Sequence, residues 1–335
     1  MKMNPSDIER PTYRLVVEQW SQERERLQYV QPYTAKKAAQ KAMLFAPWIA
    51  ETTIDEVDPS VLREALMALS ARGGRLKKGL STATLRAAHL AGTQASNWAV
   101  ERGLASSNPF QQVARPRANY RQSQFLTQGQ ANKLARAASR SFSRSLTSRN
   151  AAQASFSLAV CLAIATGLRR GEIFALSWDD LNEKTMRLSV SKAIKADGSL
   201  GRPKSVASIR NVAIGEKLCK LLQKMRTWQK ENFPEKDWSQ ASFIMCNDEG
   251  GQASLNSFEH WWRKWADKSG WKGLRFHELR HTHATLLISI GTDVKTVQMR
   301  LGHSSAEITM SCYAHALPMA DSSAATLLDS SLFSR

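Results

Sequence analysis

The chain has 335 residues, which is long enough for two domains that each bury a hydrophobic core. Lys and Arg number 47 against 29 Asp and Glu, so the net charge is +18 and predicts a polyanionic partner. Hydrophobic residues make up 42% of the chain, close to the globular norm, which excludes a disordered protein.

Neither a membrane span nor a disulfide framework is predicted. The longest apolar stretch, residues 156–168, is too short to cross a bilayer and predicts a buried helix. The N-terminus lacks the apolar region of a signal peptide, so we expect a cytoplasmic, nucleoid-associated protein. Cys161, Cys219, Cys246 and Cys312 form no CxxC pair, which favours reduced thiols over a zinc cluster.

The first hundred or so residues predict a helical region. Asp58 and Ser81 are typical of helix starts, and Pro follows Asp58 directly. The apolar residues at helical spacing that follow these starts are Leu62, Leu66, Leu69, Leu85, Ala88, Ala95 and Trp98. Residues 107–110 (Ser-Asn-Pro-Phe) are expected to end the region, and the basic residues 115–121 indicate an interdomain linker.

Clustered cations in this region predict contacts with DNA phosphates. The segment over residues 72–79 is strongly basic and broken by glycines, and other lysines lie upstream. The candidate DNA-contacting residues are Lys36, Lys37, Lys41, Arg72, Arg75, Lys77, Lys78, Arg115 and Arg117.

A second domain is expected to begin near Phe125, with a helix started by Thr127. Arg136, Arg140 and Arg144 follow at i, i+4 spacing, which places them on one helix face. Further along, residues 186–194 and 208–214 predict a β-hairpin, with a turn at residues 197–198. Trp261, Trp262 and Trp265 then predict a buried stripe on a helix.

Three clusters carry residue types suited to chemistry on a phosphate. They are residues 166–172 (TGLRRGE), residues 277–283 (HELRHTH), and residues 301–303 (LGH) followed by 313–315 (YAH). Five of the seven histidines lie from His277 onward, and Tyr313 is the one tyrosine after Tyr120. On a helix His277 and Arg280 are i, i+3 neighbours that can reach one anion, and Arg169 can supply a second guanidinium fork.

The second cluster also satisfies H-E-x-x-H, the zinc metallopeptidase signature, which would make Glu278 a general base. Against this, such a site needs a third ligand, and a cation such as Arg280 beside a divalent metal is unfavourable. The metal hypothesis also leaves Arg169, Tyr313 and the net positive charge unexplained.

The three clusters resemble, in their usual order, the signature segments of the tyrosine recombinase (phage integrase) family, and the likeness covers nearly the whole chain. The resemblance implies catalytic roles for Arg169 in the first segment, His277 and Arg280 in the second, and His303 (phosphate ligand) and Tyr313 (nucleophile) in the last.

The family also uses a lysine in a β-hairpin loop, and residues 203–205 (Pro-Lys-Ser) ahead of Arg210 resemble that segment. The resemblance therefore implies that Lys204 protonates the leaving 5′-oxygen. Lys192 and Lys195, on the preceding strand and turn, remain alternatives.

By resemblance we expect a mainly α fold with a small β-sheet. An all-α core-binding domain (1–115) would be joined by a linker (116–124) to an α+β catalytic domain (125–335), together forming a C-shaped DNA clamp. The family cleaves and rejoins double-stranded DNA through a 3′-phosphotyrosine, without cofactor or metal. It acts as a homo-tetramer on paired sites, with accessory DNA-bending proteins as potential partners, to integrate or excise mobile elements.

Two other functions fit the same residues. A type IB topoisomerase shares the active-site chemistry but relaxes supercoils without pairing two DNA sites. A DNA-binding regulator with a catalytically idle site is the second alternative.

The remaining conspicuous residues are expected to support the site without acting in it. Glu172 should anchor the first segment, His281, His283 and His315 should pack or hydrogen-bond behind it, and Cys312 is given no role. The apolar tail after Tyr313 would dock on a neighbouring protomer or on its own domain. Its apolar residues are Leu327, Leu328, Leu332 and Phe333.

Overall fold

The computed structural model describes residues 10–74, 76–117, 124–202, 206–236 and 242–302, together with residues 326, 328–329 and 331–333 of the tail. The chain divides into two compact units, Met1–Arg121 and Gln122–Arg335. No helix of the described residues is both long and apolar enough to span a bilayer.

The first unit is helical over its described residues. Its helices are α1 (Tyr13–Arg26), α2 (Pro32–Ala42), α3 (Ala46–Ile49), α4 (Pro59–Arg72) and α5 (Thr82–Glu101). The predicted starts at Asp58 and Ser81 are confirmed, because their side chains accept hydrogen bonds from the backbone N–H groups of Ser60 and Thr84.

The first unit continues past the expected end at residues 107–110. Phe110 is fully buried against the rings of Tyr13 and Phe45, and Val113 is also buried. Asn108 begins a 3₁₀ turn over Pro109–Gln112 that carries the chain back into the core. The segment at residues 107–110 therefore closes the core of this unit and does not mark its edge.

The second unit packs its helices around one helix that is buried over most of its length. Its helices are α6 (Gln128–Thr147), α7 (Ala151–Thr166), α8 (Arg170–Ala175), α9 (Glu216–Asn232), α10 (Leu255–Lys268), α11 (Glu278–Ser289) and α12 (Val294–Leu301). The buried helix predicted from residues 156–168 is α7, and Thr127 starts α6 with a capping box, as predicted.

Two small antiparallel sheets replace the single predicted hairpin. Their strands are β1 (Leu181–Asn182), β2 (Arg187–Val190), β3 (Ala193–Ile194), β4 (Leu200–Gly201) and β5 (Arg210–Ala213). The first sheet has the order β1-β2-β5, with buried Leu188 opposite Val212, and the second pairs β3 with β4 around the Asp197–Gly198 turn. A Cβ on Gly171 would lie 2.4 Å from the Ile194 carbonyl oxygen, so this glycine lets β3 approach α8.

The tryptophan stripe on α10 is part of the core, as predicted. Trp262 is buried and donates to the Leu274 carbonyl, while Trp261 and Trp265 are partly buried beside it. The cysteines that the structure describes, Cys161, Cys219 and Cys246, are buried free thiols. Cys312 lies outside the described residues.

Candidate active site

Arg280 is held at the point where α7 and α12 end. Its guanidinium donates to the Gly167 carbonyl at 2.8 Å and to the Leu301 carbonyl at 2.7 Å, and the residue is only 3% exposed. The last carbonyls of a helix have no partner within it and carry partial negative charge. Two helix termini therefore fix one guanidinium without a carboxylate in either contact.

Arg169 reaches the same place from the other side of the Gly167 turn. It donates to the Gly302 carbonyl at 3.1 Å, to Ser208 Oγ at 3.3 Å, and to Glu172 Oε1 at 2.7 Å. Because Arg280 and Arg169 bind the consecutive carbonyls of Leu301 and Gly302, the two predicted arginines are brought together.

Glu172 is the buried anchor that the sequence predicts. Its Oε2 accepts from the Arg169 backbone N–H at 2.9 Å and from Arg210 Nη2 at 3.0 Å. Burial alone would raise the pKa of Glu172, but the hydrogen bonds from Arg210 and Arg169 hold it below its usual value. The carboxylate is therefore ionised and aligns both arginines.

Arg210 is a third guanidinium of this network, and its sequence position alone indicates no such role. Besides Glu172, it donates to the Arg300 carbonyl at 2.7 Å and to the Ser208 carbonyl at 2.8 Å. It thus ties β5 to α8 and to the last turn of α12. Its place four residues before the end of the predicted hairpin gives no local signal, because its three partners are distant in sequence or are main-chain atoms.

Two glycines in the left-handed conformation make this convergence possible. Gly167 ends α7 with φ +68° and Gly302 ends α12 with φ +67°. A Cβ on Gly167 would lie 2.4 Å from Leu301 Cδ2 and 2.7 Å from His283 Cδ2, so α12 and α11 approach its backbone directly. Both the conformation and the space require glycine at residue 167.

His277 lies at the start of α11, within the electrostatic influence of both arginines. Desolvation, followed by repulsion from His281, Arg280 and Arg169, lowers the pKa of His277 to about 4. Its ring meets that of His281 edge-on at 5.3 Å between centroids. At neutral pH His277 is therefore a neutral imidazole.

Glu278 is the residue that the metallopeptidase hypothesis needs as a base, but its carboxylate is occupied by hydrogen bonds from Arg275 and Gln124. Its buried carboxylate accepts from the Arg275 backbone N–H at 2.7 Å, from the Arg275 guanidinium, and from the Gln124 N–H at 3.2 Å. Burial opposes ionisation, yet these bonds hold the pKa of Glu278 below its usual range. Glu278 is thus a structural anchor at the start of α11.

A second layer supports the helix termini. His283, which is buried, donates through Nδ1 to the Ile164 carbonyl and accepts through Nε2 from Arg300 at 3.1 Å, which requires a neutral ring. Arg300 also binds the Ala165 carbonyl. Burial and the cations of Arg300 and Arg280 lower the pKa of His283 to about 4. The packing role predicted for His283 is confirmed.

The lysine candidates differ in how they are held. Lys192 Nζ lies 3.2 Å from Asp180 Oδ2 and 3.2 Å from Ser177 Oγ, which commits it to a structural ion pair. Lys195 lies in the connection between β3 and β4, with its side chain close to Gly201. Lys204, His303, Tyr313 and His315 lie outside the described residues.

The cations predicted to contact DNA lie at the surface of the first unit. Lys41 is half-buried and the other described members of the set are exposed. They lie on α2 (Lys36, Lys37, Lys41), at the end of α4 and in the turn after it (Arg72, Lys77, Lys78), and beyond Val113 (Arg115, Arg117), while Arg75 is outside the described residues.

Residues 124–319, more than half of the chain, match the sequence model of the phage integrase family. The chain belongs to the phage integrase family. The ICEBs1 integrase of Bacillus subtilis is 33% identical over 174 residues, covering 50% of this chain and 47% of that protein. A tyrosine recombinase XerC-like protein of Caldanaerobacter subterraneus is 30% identical over 190 residues, covering 50% and 47%. The chain thus spans about half the length of these curated relatives.

Solved structures share the fold of this integrase-family chain. The Tn1549 transposon integrase in complex with a circular intermediate DNA aligns with a TM-score of 0.73 at 19% identity, over 94% of this chain and 99% of that one. A lambda integrase dimer bound to a COC′ core site aligns with a TM-score of 0.62 at 17% identity, over 88% and 76%. The expected fold class, mainly α with a small β-sheet, is confirmed.

Proposed function

We propose that this protein is a site-specific tyrosine recombinase that cleaves and rejoins double-stranded DNA through a bond between Tyr313 and a 3′-phosphate. The observation that carries the proposal is the convergence of Arg169 and Arg280 on the consecutive carbonyls of Leu301 and Gly302. Two fixed guanidiniums can bind the non-bridging oxygens of one phosphate and stabilise the charge that builds up as it is attacked.

The neutral state of His277 supplies the proton acceptor that this chemistry needs. A tyrosine hydroxyl has a pKa of about 10, so attack at neutral pH requires a base or nearby cations. With its pKa lowered to about 4, His277 is unprotonated at neutral pH. The negative charge of a bound phosphodiester would raise this pKa toward the range in which His277 can take the proton from Tyr313. Lys204 is the proposed acid for the leaving 5′-oxygen, and His303 the proposed additional phosphate ligand.

No step in this scheme consumes a cofactor or requires a metal. The phosphodiester energy is kept in the phosphotyrosine, so the 5′-hydroxyl that was released can attack it and rejoin the strand. In the assembled reaction four protomers exchange strands in pairs on two sites, as in the family, and integration or excision of a mobile element is the expected outcome. The names of the B. subtilis ICEBs1 and Tn1549 transposon integrases support this role.

The basic surface of the first unit is proposed to bind the phosphate backbone of the same duplex. The tail of the chain is proposed to dock on a neighbouring protomer. Leu328, Leu332 and Phe333 are helical and 60% to 75% exposed, so they offer an apolar surface to such a partner.

The decisive experiment is to trap the covalent intermediate. The protein is incubated with a duplex that carries the crossover site and a nick beside it. The nick lets the short released strand diffuse away and so prevents religation, and the adduct is then resolved on a denaturing gel. Tyr313→Phe should abolish the adduct and leave DNA affinity nearly unchanged, because it removes the nucleophile and no charge. An adduct that persists in this variant would contradict the assignment of Tyr313.

The same preparation separates the alternative functions. Two DNA sites joined into a recombinant product indicate a recombinase, while relaxed circles without a joint indicate topoisomerase activity. DNA binding with neither product would identify a regulator. Cleavage that is lost on chelation and restored by zinc would instead revive the metallopeptidase-like site around Glu278.

A further inference from the structure

The outer face of α6 carries a row of cations that the proposed active site does not use. Lys133, Arg136, Arg140 and Arg144 lie on average about 155° around the helix from the buried residues Leu134, Ala138 and Phe142, which pack into the core. All four are exposed, and they run for about 17 Å along the helix axis. We call these four residues the α6 stripe.

The charge of the α6 stripe is not balanced within the described structure. None of its members forms an ion pair or a side-chain hydrogen bond with another described residue, and α6 contains no Asp or Glu. Like charges at i, i+4, such as Arg136 with Arg140 and Arg140 with Arg144, destabilise a helix. The arrangement weakens α6 and leaves the full positive charge available to a partner.

The exposed residues of α6 favour a polyanion over a protein surface or a membrane. Protein interfaces have an apolar or aromatic centre, and a helix that inserts in a membrane surface needs an apolar face toward the lipid. Among the described residues, no large hydrophobic side chain of α6 is exposed. A shallow groove of about 370 Å³, lined by Gly129, Asn132, Lys133, Arg136 and Arg140, provides room for a phosphate chain instead.

The start of α6 lies beside the helix that carries Arg280. The Gln124 and Leu126 N–H groups donate to Glu278 Oε1 and Thr282 Oγ1 of α11, and Lys133 follows about 9 Å further along the helix from Thr127. A duplex held at the active-site arginines and continuing past α11 would therefore reach the α6 stripe. This position favours an extension of the same DNA over a second, separate duplex.

We infer that the α6 stripe binds the phosphate backbone of duplex DNA that flanks the segment held at the active site. The inference rests on the proposed function in one respect, that the protein acts on duplex DNA. Guanidinium forks on Arg136, Arg140 and Arg144 suit phosphate oxygens, and about 17 Å of duplex presents several phosphates on each strand.

The test is the salt dependence of binding to a single random-sequence duplex of about 40 base pairs, roughly four helical turns. The full chain is compared with the variant K133Q/R136Q/R140Q, in which glutamine keeps a good helix former at each place. If the three side chains contact phosphates, the log–log slope should fall by about 0.9 for each contact, close to three in all. The charge-conserving variant R136K/R140K should keep nearly the full slope.

Helix α9 offers a matched control. Lys217, Lys220 and Lys224 are exposed and repeat the spacing of Lys133, Arg136 and Arg140, but Lys220 pairs with Glu216. K217Q/K220Q/K224Q removes the same charge, and its slope should stay close to that of the unchanged protein. An equal fall of the salt slope in both triple variants would show that only the net charge matters, and this would overturn the inference.

Two further outcomes would also overturn it. An unchanged slope with lost capture of a second, differently labelled duplex would assign the α6 stripe to a separate DNA molecule. An unchanged slope with intact capture would leave an acidic protein or solvent as its partner. The trapped Tyr313 adduct, measured in parallel at saturating DNA, reports on the proposed function separately, because the K133Q/R136Q/R140Q variant keeps every residue of the active site.

Discussion

The active site and the basic surfaces hold their cations in opposite ways. Arg280 is buried and fixed by two carbonyls, and Arg169 is fixed by a carboxylate, a hydroxyl and a carbonyl. The α6 stripe and the lysines of α2 lie at the surface, although Lys41 is half-buried, and they form no ion pair among the described residues. Fixed guanidiniums suit a reaction that needs one geometry, whereas exposed cations suit attraction to any phosphate backbone.

The largest effect should come from replacing a fixed guanidinium by a flexible ammonium. Arg280→Lys keeps the charge but cannot bridge the carbonyls of Gly167 and Leu301 while offering a fork to the phosphate. We expect single-turnover cleavage of the nicked duplex to fall about 100- to 1000-fold with little change in DNA affinity. Arg136→Lys on the surface is the control and should cleave normally; equal rates for both variants would contradict this comparison.

Next in size is the effect of Gly167→Ala on stability. The new Cβ would meet Leu301 and His283 in a backbone conformation that disfavours alanine, so the second unit should lose about 2–4 kcal/mol of unfolding free energy. Gly291→Ala is the matched control, because Gly291 has φ +86° and open space around it. Its cost should be limited to backbone strain, about 1 kcal/mol, as measured by urea unfolding. Similar costs in the two variants would show that packing at residue 167 is not tight.

Acidification should lower the stability of the second unit, because it disfavours the neutral ring of His283 that binds Ile164 and Arg300. His283 is neutral in the folded protein with a pKa of about 4, whereas its ordinary pKa is about 6.5. As the pH falls from about 6.5 to 4, the unfolded chain binds a proton that the folded chain does not, so up to about 3 kcal/mol of stability is lost. His283→Gln should remove about half of this slope, because His277 has a similarly lowered pKa and contributes a similar loss. The exposed control His260→Gln should leave the slope unchanged.

The smallest change in reaction rate should follow from removing the cations of α2. Replacing Lys36, Lys37 and Lys41 by Gln should lower the salt slope of DNA binding by up to about 0.9 per lysine and leave cleavage at saturating DNA unchanged. A variant in which binding is intact but cleavage is slow would show that this surface positions the DNA for reaction. That result would contradict the distinction between fixed arginines, which act in the reaction, and surface cations, which only attract the DNA.

The features that depend on neighbours in sequence could be predicted from the sequence. Caps at Asp58, Ser81 and Thr127 are set by side chains that bond within three residues, and the burial of α7 follows from its composition. The residues of the first two signature segments were also identified correctly as neighbours in space, because the family pattern links Arg169 with Arg280.

The features that could not be predicted from the sequence are contacts between residues far apart in the chain, most of them from a guanidinium to a backbone carbonyl. Nothing in the local sequence indicates that the carbonyls of Gly167, Leu301 and Gly302 bind guanidiniums, or that Arg210 shares Glu172 with Arg169. The sequence does not separate the β3–β4 hairpin from the pairing of β2 with β5, because strands of two residues carry too little alternation to be recognised. Closure of the first core by Phe110 was missed because Ser-Asn-Pro indicates a turn whether it lies inside a core or at its edge.

The use of main-chain carbonyls at the ends of α7 and α12 has a consequence for the electric field of the active site. Arg169 and Arg210 share one carboxylate, Glu172, and their carbonyl contacts, like those of Arg280 with Gly167 and Leu301, orient the guanidiniums without neutralising them. Because two guanidiniums share one carboxylate, Arg169 and Arg210 keep an excess of positive charge. A phosphodiester gains negative charge as it is attacked, so this uncompensated charge stabilises the transition state more than the bound substrate.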